Sequence, residues 1–340
     1  MTPIIGISMG DPAGIGPEIV VKALMDKSVY ERCHPVVVGD AGVMKKAVAL
    51  LNAPCKVNAV EKVADAKFTF GTIDVFDLKN VSDKVQFGEV SAEAGNAAFE
   101  AVKKVIELAL INEVDATVTG PINKASINLA GHHFSGHTEI YAHYTNTKKY
   151  AMLLAEEHLR VIHVTTHVSL RDACDLVKAD RILEVVQLLA DACQQFGIAN
   201  PKIAVAGLNP HASDGGLFGW EEEREIIPAI NQARAMGYDV VGPMPADSMF
   251  SKAIGGGYDG CVAMYHDQGH IPFKVEGFKW NEAKQRMDVR GVNITLGLPI
   301  IRVSVDHGTA FEVAGKGVAS EQAMSISIDY AIRMAKSRKE

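Results

Sequence analysis

Short runs rich in isoleucine and valine recur through this chain, most of them followed by a stretch with helical spacing, and that alternation restricts the fold more than any other feature. "PIIGIS" precedes "GPEIVVKALMD", where Pro17 suits a first helical position and Glu18 the positive end of the helix dipole. "HPVVVGD" and "AGVMKKAVALL" repeat the unit, and "SAEAGNAAFEAVKKVIELAL", with Ser91 placed to cap it, leads into "DATVTG". "YAMLLA", "LRVIHVTTH", "KIAVAGLNPHA", "GCVAMYHDQGH", "GVNITLGLP" and "PIIRVSVDHG" read as further strands. Helices over "ADRILEVVQLLADACQQFG", "WEEEREIIPAINQARAMG" and "SEQAMSISIDYAIRMAKS" complete the series. Such strand–helix–strand units build parallel sheets, so the expected fold class is α/β. The 340 residues imply two lobes at a prior of roughly 150 residues per domain. The first crossing between lobes is expected near Gly120 to Lys124.

Composition excludes several function classes. A net charge of −7 argues against a broad nucleic-acid surface, so any anionic ligand must be met by a few local cations. Cys33, Cys55, Cys174, Cys193 and Cys261 are odd in number and form no C-x-x-C pair, which disfavours a disulfide framework or a cysteine-built zinc site. The opening "MTPIIGISMGDP" has no basic segment, and no stretch reaches the ~18 apolar residues of a membrane span. The expected location is cytoplasmic.

Chemistry concentrates where apolar runs stop. "VTTH" ends in His167, "LNPH" in His211 and "MYH" in His266, each read as the end of a strand. Three neutral imidazoles with an open position suit a divalent ion that still binds water or substrate. The intervals of 44 and 55 residues match no local zinc pattern, and each histidine read singly is equally a structural one. "GHHFSGHTE" gathers His132, His133, Ser135, His137, Thr138 and Glu139 before a helix, a composition that serves either an oxyanion or an ordinary helix cap. "MGDPAGIGPE" sets Gly10, Gly14 and Gly16 between strand and helix without the G-x-G-x-x-G spacing of a dinucleotide fingerprint. Lys274, Asn293 and Arg302 are the remaining candidates for holding an anion. Arg302, inside "LPIIRVSV", requires a carboxylate or phosphate nearby, which a structural Asp or Glu supplies equally well.

Taken together, "GDPAGIGPE", "TGPINKAS", "FSGHTE", "GLNPHA", "MYHDQGH" and "RGVNITLGLPIIRVSVDHGTA" resemble the 4-hydroxythreonine-4-phosphate dehydrogenase family, in order and over nearly the whole chain. The resemblance implies an isocitrate/isopropylmalate dehydrogenase-like fold: two α/β/α lobes, residues 1–123 with 291–340 and residues 124–290, with a cleft between them. It implies a homodimer with shared active sites, one metal ligand crossing the interface. His167, His211 and His266 match the metal-ligand positions, with zinc, magnesium, cobalt or manganese as the ion. His137, Thr138, Lys274, Asn293 and Arg302 match substrate-binding positions. "VDHGTAFEVAGKG" resembles the loop with which related dehydrogenases hold the adenosine part of NAD, giving His307, Gly308, Thr309, Ala310 and Lys316 as cofactor contacts, with NADP the alternative. Asp247 and Asp267 are candidates for proton transfer or for orienting a histidine, and either serves equally as a cap.

One stretch departs from the biosynthetic enzymes. "KWNEAKQRMDV" stands between Phe278 and Arg290, where they pass from "GF" almost directly to "RGVNITLGLP". That insert, with "QGHIPFK", resembles a sister group acting on D-threonate 4-phosphate or D-erythronate 4-phosphate, which carry a C2 hydroxyl in place of an amine. The expected reaction is NAD-linked oxidation at C3 with decarboxylation to dihydroxyacetone phosphate. The alternatives are the 4-hydroxythreonine 4-phosphate reaction of pyridoxal phosphate biosynthesis, a metal-dependent aldolase or phosphatase, and a non-catalytic sugar-acid phosphate binding protein.

Overall fold

A computed structural model describes residues 2–282 and 286–339. By its internal contacts the chain divides into Met1–Lys148 with Leu298–Glu340, and Lys149–Gly297. In chain order the first unit contributes β1 (Ile4–Ser8), β2 (His34–Gly39), β3 (Lys56–Val60), β4 (Thr72–Asp77) and β5 (Ala116–Thr119). The second holds β6 (Ala151–Ala155), β7 (Arg160–His163), β8 (Ile203–Ala206), β9 (Val240–Met244) and β10 (Gly260–Ala263). It continues through the antiparallel pair β11 (Phe278–Asn281) and β12 (Arg286–Val289) to β13 (Val292–Leu296), and β14 (Arg302–Val305) returns to the first unit.

Strands of the first unit lie in the order β3-β4-β2-β1-β5-β14, each pair parallel. The fold class is the α/β one that the sequence leads one to expect. The helix Ala92–Leu110, capped by Ser91 Oγ accepting from the Ala94 N–H, packs against β1 and β2 and buries Val102, Val105 and Ile106. Gly6 in β1 permits this approach, because a Cβ there would lie 2.7 Å from a Val105 methyl. Two strands escape the hydrophobic pattern: β3 reads "KVNAV" and buries only Val60, and β4 interrupts its apolar residues with Asp74 and Asp77.

In the second unit the order is β13-β6-β7-β10-β8-β9. Here the expected parallel pattern is broken, since β6 runs antiparallel to both β13 and β7. Only residues 156–159 join β6 to β7, with the Glu156 N–H donating to the Leu159 carbonyl, and so short a connection makes a hairpin and not a crossover. The helix Ala179–Gln195 buries Ile182, Val185, Val186 and Leu189 at helical spacing, and Gly260 leaves room for Leu189. β7, β10 and β8 remain three adjacent parallel strands.

Candidate active site

Each of those three strands runs its carboxyl end toward one of the candidate metal ligands, so His167, His266 and His211 follow β7, β10 and β8 in neighbouring positions. Ligands in open α/β sheets gather at carboxyl ends of strands, because the loops there rest on a rigid base. None of the three histidines is itself a strand residue: β7 stops at His163 and β8 at Ala206, so His167 and His211 lie in the segments that follow, where the sequence reading puts them at strand ends. The sequence reading carries the "GCVAMYHDQGH" strand through His270, but β10 stops at Ala263 and His266 opens the helix His266–Gly277. The polar run that looks like a strand terminus is therefore the first turn of a helix.

His167 and His266 have ring centroids 5.8 Å apart, and both line a cavity of about 260 Å³ together with Thr166, Tyr265 and Asp267. Asp267 Oδ1 lies 2.6 Å from His266 Nδ1, so the ring donates there and presents Nε2. A carboxylate on the far nitrogen fixes the tautomer of a metal-binding histidine and raises its basicity. Behind His266 lie two imidazoles that the sequence reading left without a role. His270 stacks on it, and burial, with His266 close by, pushes its pKa down to about 4. His163, 1% exposed, is pushed to about 3, mainly by burial and next by His270. Both rings are neutral at pH 7, which keeps positive charge away from a cation site.

His211 does not line this cavity. It sits after Pro210 in a left-handed turn in which His211, Ala212, Ser213 and Asp214 have φ of 55°, 52°, 67° and 47°. Non-glycine residues in that region cost about 1 kcal/mol or more each, so the turn needs support. Buried Glu222 supplies some: its carboxylate accepts from the Asn209 N–H and from Asn209 Nδ2, both at 2.8 Å. Among the described residues no three His, Cys, Asp or Glu side chains converge on one point where a metal could sit. The donor chemistry fits a divalent ion to the extent of two neighbouring imidazoles with a carboxylate behind one; further ligands must come from outside this group.

The other candidates of this unit are spread around it. Lys274 lies two turns along the helix from His266, exposed and 5.4 Å from the Phe278 ring, and Asn293 is half-buried in β13. Asp247, exposed in the first turn of Ala246–Ile254, accepts from the Ser248 N–H at 2.6 Å. Of the two candidate acids, only Asp267 touches a candidate ligand in the described contacts.

In the first unit His137 opens the helix His137–Tyr144, with Thr138 next to it. Its N-cap is Gly136, so the histidine loop does not make the side-chain cap that was the competing reading. The Nε2 of His137 is enclosed without a hydrogen-bond partner. Burial, with Arg302 beside it, holds the pKa of this ring well below the usual value. Arg302 opens β14 and is 2% exposed; Nη2 donates to Thr119 Oγ1 at 3.3 Å, and burial lowers its pKa to about 10. A buried guanidinium next to an enclosed neutral imidazole can receive an anion with little competition from water.

The candidate nucleotide loop is folded onto the glycine motif of the same unit. Thr309, buried, accepts from the Ile15 N–H at 3.1 Å through its carbonyl, and a Cβ at Gly14 would come within 2.9 Å of Thr309 Cβ. "GDPAGIGPE" is thus a packing surface for Thr309. His307 Nδ1 donates to the Gly308 carbonyl, Ala310 is left-handed at φ 43°, and Lys316 Nζ donates to the Glu312 carbonyl.

Known proteins agree with this architecture. A D-threonate 4-phosphate dehydrogenase of Cupriavidus necator is 46% identical over 323 residues, 95% of this chain and 94% of that protein. A crystal structure of 4-hydroxythreonine-4-phosphate dehydrogenase from Klebsiella pneumoniae superposes with a TM-score of 0.86 at 44% identity, covering 98% of each chain. The fold extends to a beta-decarboxylating dehydrogenase of Thermococcus kodakarensis, 12% identical with a TM-score of 0.50, covering 97% of this chain and 83% of that one. The fold is therefore isocitrate/isopropylmalate dehydrogenase-like. The family described as pyridoxal phosphate biosynthetic protein PdxA matches residues 31–331, and the chain belongs to that family.

Proposed function

We propose that this protein oxidises the C3 hydroxyl of D-threonate 4-phosphate or D-erythronate 4-phosphate with NAD and releases the C1 carboxylate as carbon dioxide, leaving dihydroxyacetone phosphate. The observation that carries the reading is the His167–His266 pair beside one cavity, with Asp267 on the far nitrogen of His266. The relationship to a D-threonate 4-phosphate dehydrogenase supports the choice of substrate.

His167, His211 and His266 would hold a divalent ion, which when bound supplies Lewis-acid polarisation of the C3 oxygen and of the enolate oxygen formed on decarboxylation. His211 joins the set from a second copy of the chain. Exposed apolar side chains next to each ligand favour such a pairing: Val168 and Leu170, Leu217 at 71% and Phe218, Ile271 and Val275. Asp267 orients His266 and lines the same cavity, where it would take the C3 hydroxyl proton. His307–Ala310 and Lys316 would hold the adenosine end of NAD, which when bound would supply the acceptor for the C3 hydride. Carbon dioxide then leaves the β-keto acid, and C2 regains a proton. Arg302 with His137 and Thr138, and Lys274 with Asn293, hold the phosphate and carboxylate.

The test is NADH formation with D-threonate 4-phosphate, D-erythronate 4-phosphate and 4-hydroxythreonine 4-phosphate at equal concentration. A higher kcat/KM for either sugar acid is expected. Preference for 4-hydroxythreonine 4-phosphate, which the Klebsiella pneumoniae similarity favours, would assign the biosynthetic reaction instead.

A further inference from the structure

The three histidine-bearing strand ends are laced together at one residue that carries no catalytic chemistry. The Met264 carbonyl accepts from the Thr165 N–H at 3.2 Å and from Thr165 Oγ1 at 2.9 Å, two residues before His167. On its other side the Met264 N–H donates to Gln268 Oε1 at 2.7 Å, and Gln268 Nε2 donates to the Gly207 carbonyl, also at 2.7 Å. Gly207 directly follows β8, four residues before His211, and Gln268 lies two residues after His266. The β10–β8 register closes at Val262 and Val205, so the Gln268 amide continues their pairing by a side chain where the described backbone ladder ends.

We propose that Gln268 is a positioning residue: its carboxamide anchors the chain entering the His211 turn to the His266 helix of the same subunit, and metal affinity depends on that anchor because it fixes how His211 is presented to the site in the second copy. The inference rests on the metal reading above. A primary amide fits because the span needs an acceptor atom and a donor atom side by side at the end of a long side chain; an ionised carboxylate has no donor, and a Ser or Thr hydroxyl offers both on one atom of a short side chain. Glu222 already holds Asn209, two residues before His211. Gln268 holds Gly207, two residues earlier still, so both ties fix the chain where it enters the left-handed segment 211–214. An alternative role for Gln268 is purely local, as a capping-box side chain reaching back at the start of its own helix.

Gln268→Glu separates the two. Glutamate keeps the acceptor for the Met264 N–H and is a good capping-box residue, but it sets an oxygen against the Gly207 carbonyl. Zinc affinity of the full-length protein is read by chelator competition, and the Co²⁺-loaded visible spectrum reports ligand geometry. Loss of affinity by about 10- to 100-fold with a changed Co²⁺ spectrum and near-parental melting supports the tie. Unchanged affinity and spectrum overturn it. If Gln268→Glu does not fold, Gln268→Met is read with the same two outcomes. His211→Ala is measured beside it: lost zinc affinity there with parental affinity in the Gln268 variant overturns this inference alone. Parental affinity in His211→Ala overturns the metal reading and this inference with it.

Discussion

The rings of His266 and His270 lie parallel, 3.7 Å between centroids and 12° between planes, with His270 Nδ1 donating to the His266 carbonyl at 3.0 Å. One turn of helix thus supplies both a candidate ligand and the surface that fixes its rotamer. His270→Ala should cost about 3 kcal/mol of stability, the scale for removing a buried side chain, and should weaken zinc binding. His270→Phe keeps a stacked ring and should recover most of both. Urea unfolding and chelator competition on the three proteins check this.

Subunit mixing reads which ligands share a chain. His167 and His266 line one cavity and His211 does not. Inactive His211→Ala and His266→Ala proteins, refolded together, should therefore regain up to about a quarter of parental activity, from the one intact site of each heterodimer. His167→Ala with His266→Ala should regain none. Recovery in the second mixture and not the first would reverse the assignment.

Asp11 is fully buried and its pKa is raised to about 6, chiefly by burial, against the lowering effect of the Ala13 N–H. A carboxyl whose folded pKa lies above the unfolded one stabilises the fold fully below about pH 4. That contribution is lost as pH rises through about 6. Asp11→Asn keeps an acceptor for the Ala13 N–H. It should be more stable than the parent at pH 8, by up to about 3 kcal/mol on the linkage scale, and should flatten the pH dependence between 4 and 6. Urea midpoints measured across that range give the answer.

The stretch between Phe278 and Arg290 contains the antiparallel pair β11 and β12, with Phe278 opposite Val289, and its residues 283–285 lie outside the described residues. The Arg290 N–H donates to the Gly277 carbonyl at 3.1 Å, so the two ends already meet. Deleting Lys279 to Val289 should leave melting close to parental, because a loop that is closed at its base costs little to shorten. The ratio of kcat/KM for D-threonate 4-phosphate to that for 4-hydroxythreonine 4-phosphate should fall. An unchanged ratio in a folded variant would remove this stretch from substrate choice.

Strands with Ile/Val runs were legible in the sequence because a buried parallel strand must be apolar on both faces, as in β1, β2 and β10. β3 was not, since a strand of mixed polarity that buries one residue carries no such signal. The histidines themselves were legible, but the helix beginning at His266 was not: "HDQGHIPFK" holds a glycine and a proline, and the turn is tied by Gln268 to Gly207, 61 residues away. Glu222 and His163 escaped for the same reason. Their roles arise from contacts between segments distant in the chain, which no local spacing encodes.

The central claim is oxidation coupled to decarboxylation at a histidine-held metal. The direct measurement incubates chelator-treated protein with D-threonate 4-phosphate and NAD, adds back a divalent ion, and quantifies NADH, carbon dioxide and dihydroxyacetone phosphate together. Equal amounts of all three are expected, only after the ion is restored, and none from His266→Ala. Inorganic phosphate or aldol cleavage products without NADH, or undiminished NADH formation in the chelated protein, would contradict it.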